Sequence, residues 1–270
     1  VYTSIDEFNN QNLELGTGLP FEHNTEILKT PFSICGKTVQ NRLVCQAMEG
    51  CDGKADGSPD ELTIRRYRRL AEGGAGIIWF EATACREDGR ANPRQLWLHE
   101  GNKDDFKRIV EDIRETAIKA HGYAPLIFMQ NTHSGRYSKP HGTPAPLIAY
   151  NNPIFEKDTP IDKSRIVSDD TIDRIGEQLV LSSRLAEEVG FDGVDIKCCH
   201  RYLNSELLSA YEREGKYGGS FENRTRLLRE SIARSMEICG KDFIVSSRLN
   251  VYDGFPYPYG FGVNPEDGLT

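Results

Sequence analysis

No apolar run in this 270-residue sequence approaches the roughly 20 residues of a membrane-spanning helix. The first ten residues, VYTSIDEFNN, lack the charged and apolar regions of a secretion signal. There is no CxxC pair. Seven scattered cysteines, an odd number, suggest neither a disulfide framework nor a metal site. Basic residues are outnumbered, 33 Lys and Arg against 41 Asp and Glu, leaving a net charge of −8. That argues against nucleic acid or an anionic membrane as partner, since both need a basic footprint. These absences describe a cytoplasmic chain with reduced thiols and a small-molecule substrate; self-association stays open.

What is present is globular: 27% charged and 38% apolar residues, in a length near the ~250 typical of one (β/α)8 barrel. Residues 1–30 have weak periodicity and read as an irregular leader over the bottom of a barrel domain, residues 31–270. Residues 41–48 (NRLVCQAM) read as a first strand, followed by a Gly-rich loop. Residues 61–72 form a short basic helix closed by Gly73-Gly74, its arginines a solvated face. Residues 76–82 (GIIWFEA) are too apolar for a half-exposed strand, so they belong inside a parallel sheet. A helix over 104–120, a strand over 125–130 and a Ser168-capped helix before Gly190 continue the alternation. Residues 136–166, with five prolines, read as a lid. A helix over 220–238 and a strand over 243–249 follow. The pattern gives five strands where a closed barrel needs eight, so the sequence is expected to be C-terminally incomplete.

The chain is organised around residues 190–210, GFDGVDIKCCHRYLNSELLSA. An apolar strand, 191–196, ends in Lys197, Cys198, Cys199, His200, Arg201 and Tyr202. Polar groups at the carboxyl end of a parallel strand are how an α/β barrel builds an active site. The other strand ends carry Ala47-Met48-Glu49, Glu81-Ala82-Thr83, Gln130 with His133, and Arg248. An amide such as Gln130 both donates to and accepts from a planar heterocycle, and a permanent cation such as Arg248 stabilises negative charge on a reduced ring.

NRLVCQAM, IIWFEATA, the run GR…P…LW at 89–97, QNTHSGR, GFDGVDI…H.YL…LLSA, YGGSFENRTRLL and SSRLN stand in one order from about residue 30 to residue 250. As an ordered set they resemble the old yellow enzyme family of FMN-dependent NAD(P)H:flavin oxidoreductases and ene-reductases, which includes 2,4-dienoyl-CoA reductase. The resemblance implies a TIM barrel, FMN as cofactor and NADH or NADPH as reductant. Ala47, Met48, Ala82, Gln130 and Arg248 match flavin-contacting positions, and Glu49 stands where Thr or Cys often tunes the flavin. Lys197 and His200 fall on the positions that hydrogen-bond a substrate carbonyl, and Tyr202 on the proton donor to an activated alkene.

Three residues depart from the pattern. Lys197 replaces the usual His, a point charge with longer reach. An ionised Glu49 would disfavour an anionic reduced flavin, so it must be turned away, paired or protonated. Arg201 replaces a small residue and is expected to narrow or charge the pocket. The strands that hold the FMN phosphate in the family have no match here. Among the remaining residues, His133 reads as structural, Arg224 and Arg226 as salt-bridging helix residues, and the cysteines as space-filling. Two other readings stay open: a Schiff-base lyase or aldolase using Lys197, and a non-catalytic partial barrel.

Overall fold

The computed structural model describes residues 2–20, 22, 24–264 and 266. Strands β3 (Val44–Cys45), β4 (Ile77–Ala84), β5 (Leu126–Thr132), β6 (Gly193–Ile196) and β7 (Ile244–Ser246) form one parallel sheet, with spatial order equal to chain order. That is the progression of the first five strands of an α/β barrel. Helices α2 (Glu61–Glu72), α3 (Lys103–His121), α5 (Asp169–Glu188) and α8 (Arg226–Ile238) cover its outer face. Phe80, Ile127, Met129, Val194 and Ile196 pack there against Phe106, Ile113, Leu185 and Ala186. No described helix is long and apolar enough to cross a membrane.

The helix boundaries follow from local chemistry. Asp60 caps α2 within a capping box that includes Thr63, and Ser168 caps α5 through a 3.2 Å bond from the Thr171 amide. Gly122, at φ 79°, ends α3 in the left-handed cap that glycine adopts without strain. Ser220 caps a short α7 (Phe221–Arg224), and a break at Thr225 separates it from α8, where the sequence predicts one continuous helix.

Other expectations are corrected too. Residues 1–30 are not irregular throughout: Ser4 caps α1 (Ile5–Glu14), with Asp6 and Glu7 against its positive end. No residue of α1 is buried, which is why its periodicity is weak. The strand expected over 41–48 is paired only at Val44–Cys45. An unexpected antiparallel hairpin precedes it, β1 (Phe32–Ile34) and β2 (Lys37–Val39). Phe32, Ile34 and Val39 pack with Ile77, Leu126, Phe128 and Ile244 under the amino ends of the strands.

Residues 136–166, expected as a lid, contain α4 (Pro153–Glu156) and fold back on themselves through the Ile148–Ile166 bridge. Arg136 ties them down by ion pairs to Glu156 and to Glu206 of α6 (Leu203–Leu208). Arg66 is no solvated residue of α2, because it bridges Asp52 and the buried Glu81, each at 2.8 Å. Arg224 is buried, its guanidinium 3.7 Å from the Tyr211 ring centroid and bonded to the Leu208 and Gly219 carbonyls; Arg226 does pair with Glu230. Cys35 is exposed, while Cys85, Cys198, Cys199 and Cys239 are buried.

Candidate active site

The sheet register builds the floor of the site. Ala82 of β4 lies beside Gln130 of β5, Gln130 beside Asp195 of β6, and Asp195 beside Ser246 of β7. The register shift between Phe80 and Ala82 is what brings Ala82 opposite Gln130. Asp195 is fully buried and collects three donors. Its Oδ2 accepts from Trp79 Nε1 at 2.9 Å and Gln130 Nε2 at 2.7 Å, and its Oδ1 accepts from the Arg248 amide at 2.6 Å. Below it Trp79 stacks on Phe128 at 4.9 Å. Gly193 leaves room for that pair, since a Cβ there would lie 2.6 Å from the Phe128 ring and 2.4 Å from the Ile244 carbonyl.

The strand ends above this floor are laced together. The Lys197 amide donates to the Asn131 carbonyl at 3.0 Å, and Cys198 exchanges backbone bonds with Arg248 and Asn250. The chain then turns sharply: His200 and Arg201 both hold left-handed φ values, 61° and 58°. Two adjacent non-glycine residues in that region cost roughly 1–2 kcal/mol each. What holds them is Arg201, whose guanidinium donates to Asp253 and to Ser209 Oγ, both at 2.7 Å. Arg201 is therefore turned into the wall, between the Phe155 and Phe255 rings, and does not narrow or charge the pocket as expected.

The turn presents Lys197, His200 and Tyr202 together. Lys197 is 5% exposed, and its Nζ lies 3.9 Å from the Tyr202 ring centroid. The His200 ring meets Tyr202 edge-on at 6.4 Å, and Tyr137, from the segment after β5, lies 5.7 Å away on another side. The Tyr202 hydroxyl donates to Glu49 Oε2 at 3.4 Å, and the Cys51 thiol donates to Oε1 at 3.4 Å.

Burial dominates the electrostatics of this cluster. It pushes the Glu49 carboxyl above the ordinary carboxylate range, against the pull of the Lys197 cation. It raises the Tyr202 phenol well above its usual value, helped by Glu49, and lifts the Cys51 thiol to about 12. Burial lowers Lys197, with Arg248 acting in the same direction, and lowers His200 with Lys197 and Arg248 adding to it. The loop that carries Glu49 is anchored from below. The Gly50 amide donates to Glu81 Oε2 at 2.8 Å, and Arg66 reaches the Met48 carbonyl at 3.3 Å.

Lys197, His200, Tyr202 and Glu49 thus form one cluster over a ladder of Ala82, Gln130 and the Arg248 backbone. Ala47 is half-buried, and Met48 is 68% exposed at the end of β3. His133 is buried in the wall, its Nδ1 accepting from the Gly135 amide. Sequence reasoning does not find Asp195, Arg66 or Tyr137, and it finds Glu81 only as a strand-end residue, not as the anchor of the Glu49 loop. The signal for the two acids is a carboxylate inside an otherwise apolar strand, FDGVDI and IIWFEA.

These residues fit the ring end of an FMN. Ala82 adds little bulk to the floor, Gln130 keeps its amide oxygen free of protein donors among the described residues, and Arg248, two positions past Ser246, adds a cation beside Lys197 and His200. Such a group would be held from this chain by Ala82, Gln130 and Arg248, with Ala47 and Met48 on the β3 side.

Comparison with known proteins identifies the family. The sequence model of the NADH:flavin oxidoreductase / NADH oxidase family matches residues 28–258. An NADPH dehydrogenase of Clostridium acetobutylicum is 27% identical over 239 residues, 87% of this chain and 66% of that protein. One from Geobacillus sp. is 34% identical over 236 residues, 85% of this chain and 65% of that protein. The chain therefore spans about two thirds of the length of these relatives. The crystal structure of Old Yellow Enzyme from Pichia sp. superposes with a TM-score of 0.70 at 25% identity, covering 85% of this chain and 61% of that one. The family implies FMN, with NAD(P)H as its reductant. With the family model matched over residues 28–258 and the strand order that of the first five strands of an α/β barrel, the chain belongs to the NADH:flavin oxidoreductase / NADH oxidase family, that of old yellow enzyme.

Proposed function

We propose that this chain carries the active site of an FMN-dependent oxidoreductase that draws hydride from NAD(P)H and reduces the activated C=C bond of an α,β-unsaturated carbonyl compound or thioester. The observation that carries this reading is the Lys197–His200–Tyr202 cluster on one strained turn above the Gln130–Asp195 ladder. FMN, when bound, supplies the hydride that arrives at the substrate β-carbon.

The protein's own residues do the rest. Lys197 and His200 hold the carbonyl oxygen and oppose the negative charge that grows on it as the alkene is reduced. Tyr202 stays protonated at neutral pH and gives its hydroxyl proton to the carbon α to the carbonyl. Gln130, clamped by Asp195, keeps one orientation of its amide toward the floor of the site. The wall formed by Tyr137 narrows the approach to Tyr202. An absorbance scan of the purified protein, freed of loose flavin, tests the reading. Oxidised-flavin bands bleached by NADH or NADPH and restored by an enone or a dienoyl-CoA are expected; a protein that neither holds nor binds FMN overturns it.

One observation favours a second reading, a Schiff-base lyase. Burial lowers Lys197, which favours the neutral, nucleophilic amine. Borohydride trapping of a carbonyl compound on Lys197 would support it.

A further inference from the structure

Glu49 is a costly residue to place beside a reducing centre, because an ionised carboxylate opposes the build-up of negative charge there. Yet its position is tightly specified. Its two chain neighbours are pinned to α2 and β4, Met48 through Arg66 and Gly50 through Glu81, and Arg66 itself joins Glu81 to Asp52. The carboxyl that results faces one hydroxyl, that of Tyr202. From the turn after β6 it is faced by Lys197 and Tyr202, and from its own loop by Cys51; His200 and Tyr137 flank Tyr202. Glu49 is half-buried rather than sealed in the core.

We propose that Glu49 acts through Tyr202 as the residue that returns a proton to it in each turnover. This rests on the oxidoreductase reading above. A hydride, which bound FMN would supply, forms the C–H bond at the β-carbon, and the alkene π pair becomes the enolate of the substrate. The Tyr202 O–H bond breaks as its proton joins the α-carbon, leaving a phenolate whose charge lies under the Lys197 cation. The Glu49 carboxylic acid then gives its proton to that phenolate oxygen and becomes a carboxylate, which takes a proton from water. Burial holds the Glu49 carboxyl above the ordinary carboxylate range, the direction that favours a proton donor. Lys197 opposes both negative charges in turn, first the phenolate and then the carboxylate.

The test has two arms. In the first, ¹³C-carboxyl glutamate labelling without flavin follows Glu49, its resonance identified by its loss in Glu49→Gln. It should titrate above the ordinary carboxylate value and move higher still in Tyr202→Phe, where the hydrogen bond that favours the carboxylate is gone. An unmoved midpoint overturns the pair. In the second, the flavin-loaded protein is assayed with an enone, whose reduction needs the proton, and with ferricyanide, whose reduction does not. In Glu49→Gln the enone-to-ferricyanide ratio should fall by about tenfold or more, toward the lower end of general-acid contributions. The decline of enone reduction as pH rises through the Glu49 midpoint should also vanish. An unchanged ratio and pH profile, with NAD(P)H still bleaching the flavin, overturn the relay alone. A flavin that NAD(P)H never bleaches overturns the oxidoreductase reading and the relay with it.

Discussion

The Lys197 ammonium lies over the face of the Tyr202 ring, 3.9 Å from its centroid, and both side chains are largely shielded from water. A desolvated cation over an aromatic face contributes about 2 kcal/mol, so each residue fixes the other. On the function proposed above, Lys197 would have two jobs: to offer charge to a carbonyl and to hold Tyr202 in place.

Removing the charge should therefore hurt twice. Lys197→Met is expected to lower kcat for enone reduction about 10²-fold, as for loss of one preorganised donor to a growing oxyanion. Lys197→His, which restores a ring nitrogen, should recover part of it. Steady-state kinetics on both variants check this; equal rates in Lys197→Met and the parent would deny Lys197 the carbonyl.

Tyr202→Phe removes only the hydroxyl and keeps the ring under Lys197. Enone reduction should fall about 10²-fold or more, the usual scale of general acid catalysis. Rapid-mixing measurement of flavin reoxidation by an enone reads this directly.

The Asp195 carboxyl accepts hydrogen bonds from three donors. Asp195→Asn must turn an NH₂ group toward at least one of them. A stability loss of about 1–3 kcal/mol is expected from the resulting unsatisfied group, together with weaker flavin binding as Gln130 comes loose. Urea unfolding and flavin titration measure the two effects separately.

Burial and the neighbouring Lys197 and Arg248 cations hold His200 below the ordinary histidine value of 6.5. It is therefore neutral at pH 7, and its protonation belongs to a more acidic range than that of an ordinary histidine. Because its folded pKa is depressed, its linkage makes folding less favourable as pH falls through 6.5 toward that lower value. A ¹H–¹⁵N titration of the imidazole should find its midpoint below 6.5, and a higher midpoint in Lys197→Met.

Glu206 is fully buried and paired with Arg136, and it accepts the Ala149 amide at 2.9 Å. Glu206→Ala leaves Arg136 to Glu156 alone and takes the acceptor from the buried Ala149 amide, and should destabilise the fold by about 1–3 kcal/mol, as for a buried polar group left without its partner. A denaturant midpoint unchanged from the parent would contradict this.

The sequence makes some elements plain and hides others, for physical reasons. α2 is legible to its last residue, because Asp60 opens it, Gly73-Gly74 closes it and its apolar positions recur on one face. β4, β5 and β6 are legible because a strand covered on both sides must be apolar along its length. The β1–β2 hairpin is harder to read although its signal is local: Cys35 and Gly36, φ 48° and 79°, form a two-residue turn between alternating segments. β3 is shorter than its sequence suggests, because NRLVCQAM is apolar enough for a strand, yet only two of its residues find a partner. The cluster of Lys197, His200 and Tyr202 could be read from one short stretch. Its connection to Glu49 could not, since 153 positions separate Glu49 from Tyr202 and no periodicity links them. Arg201 is not legible from its number, which places it between two site residues, because its left-handed backbone sends the side chain the other way.

That reversal has a consequence for how such sequences drift. Arg201 and Asp253 are 93% and 98% shielded and face each other across 52 positions, with Asp253 also receiving the Phe261 amide. Neither can be exchanged alone without burying an uncompensated charge, and exchanging Arg201 also unlocks the turn that aims Tyr202. A lineage carrying this arginine is committed to the acid in its tail, and the two positions should be gained, kept and lost as a pair.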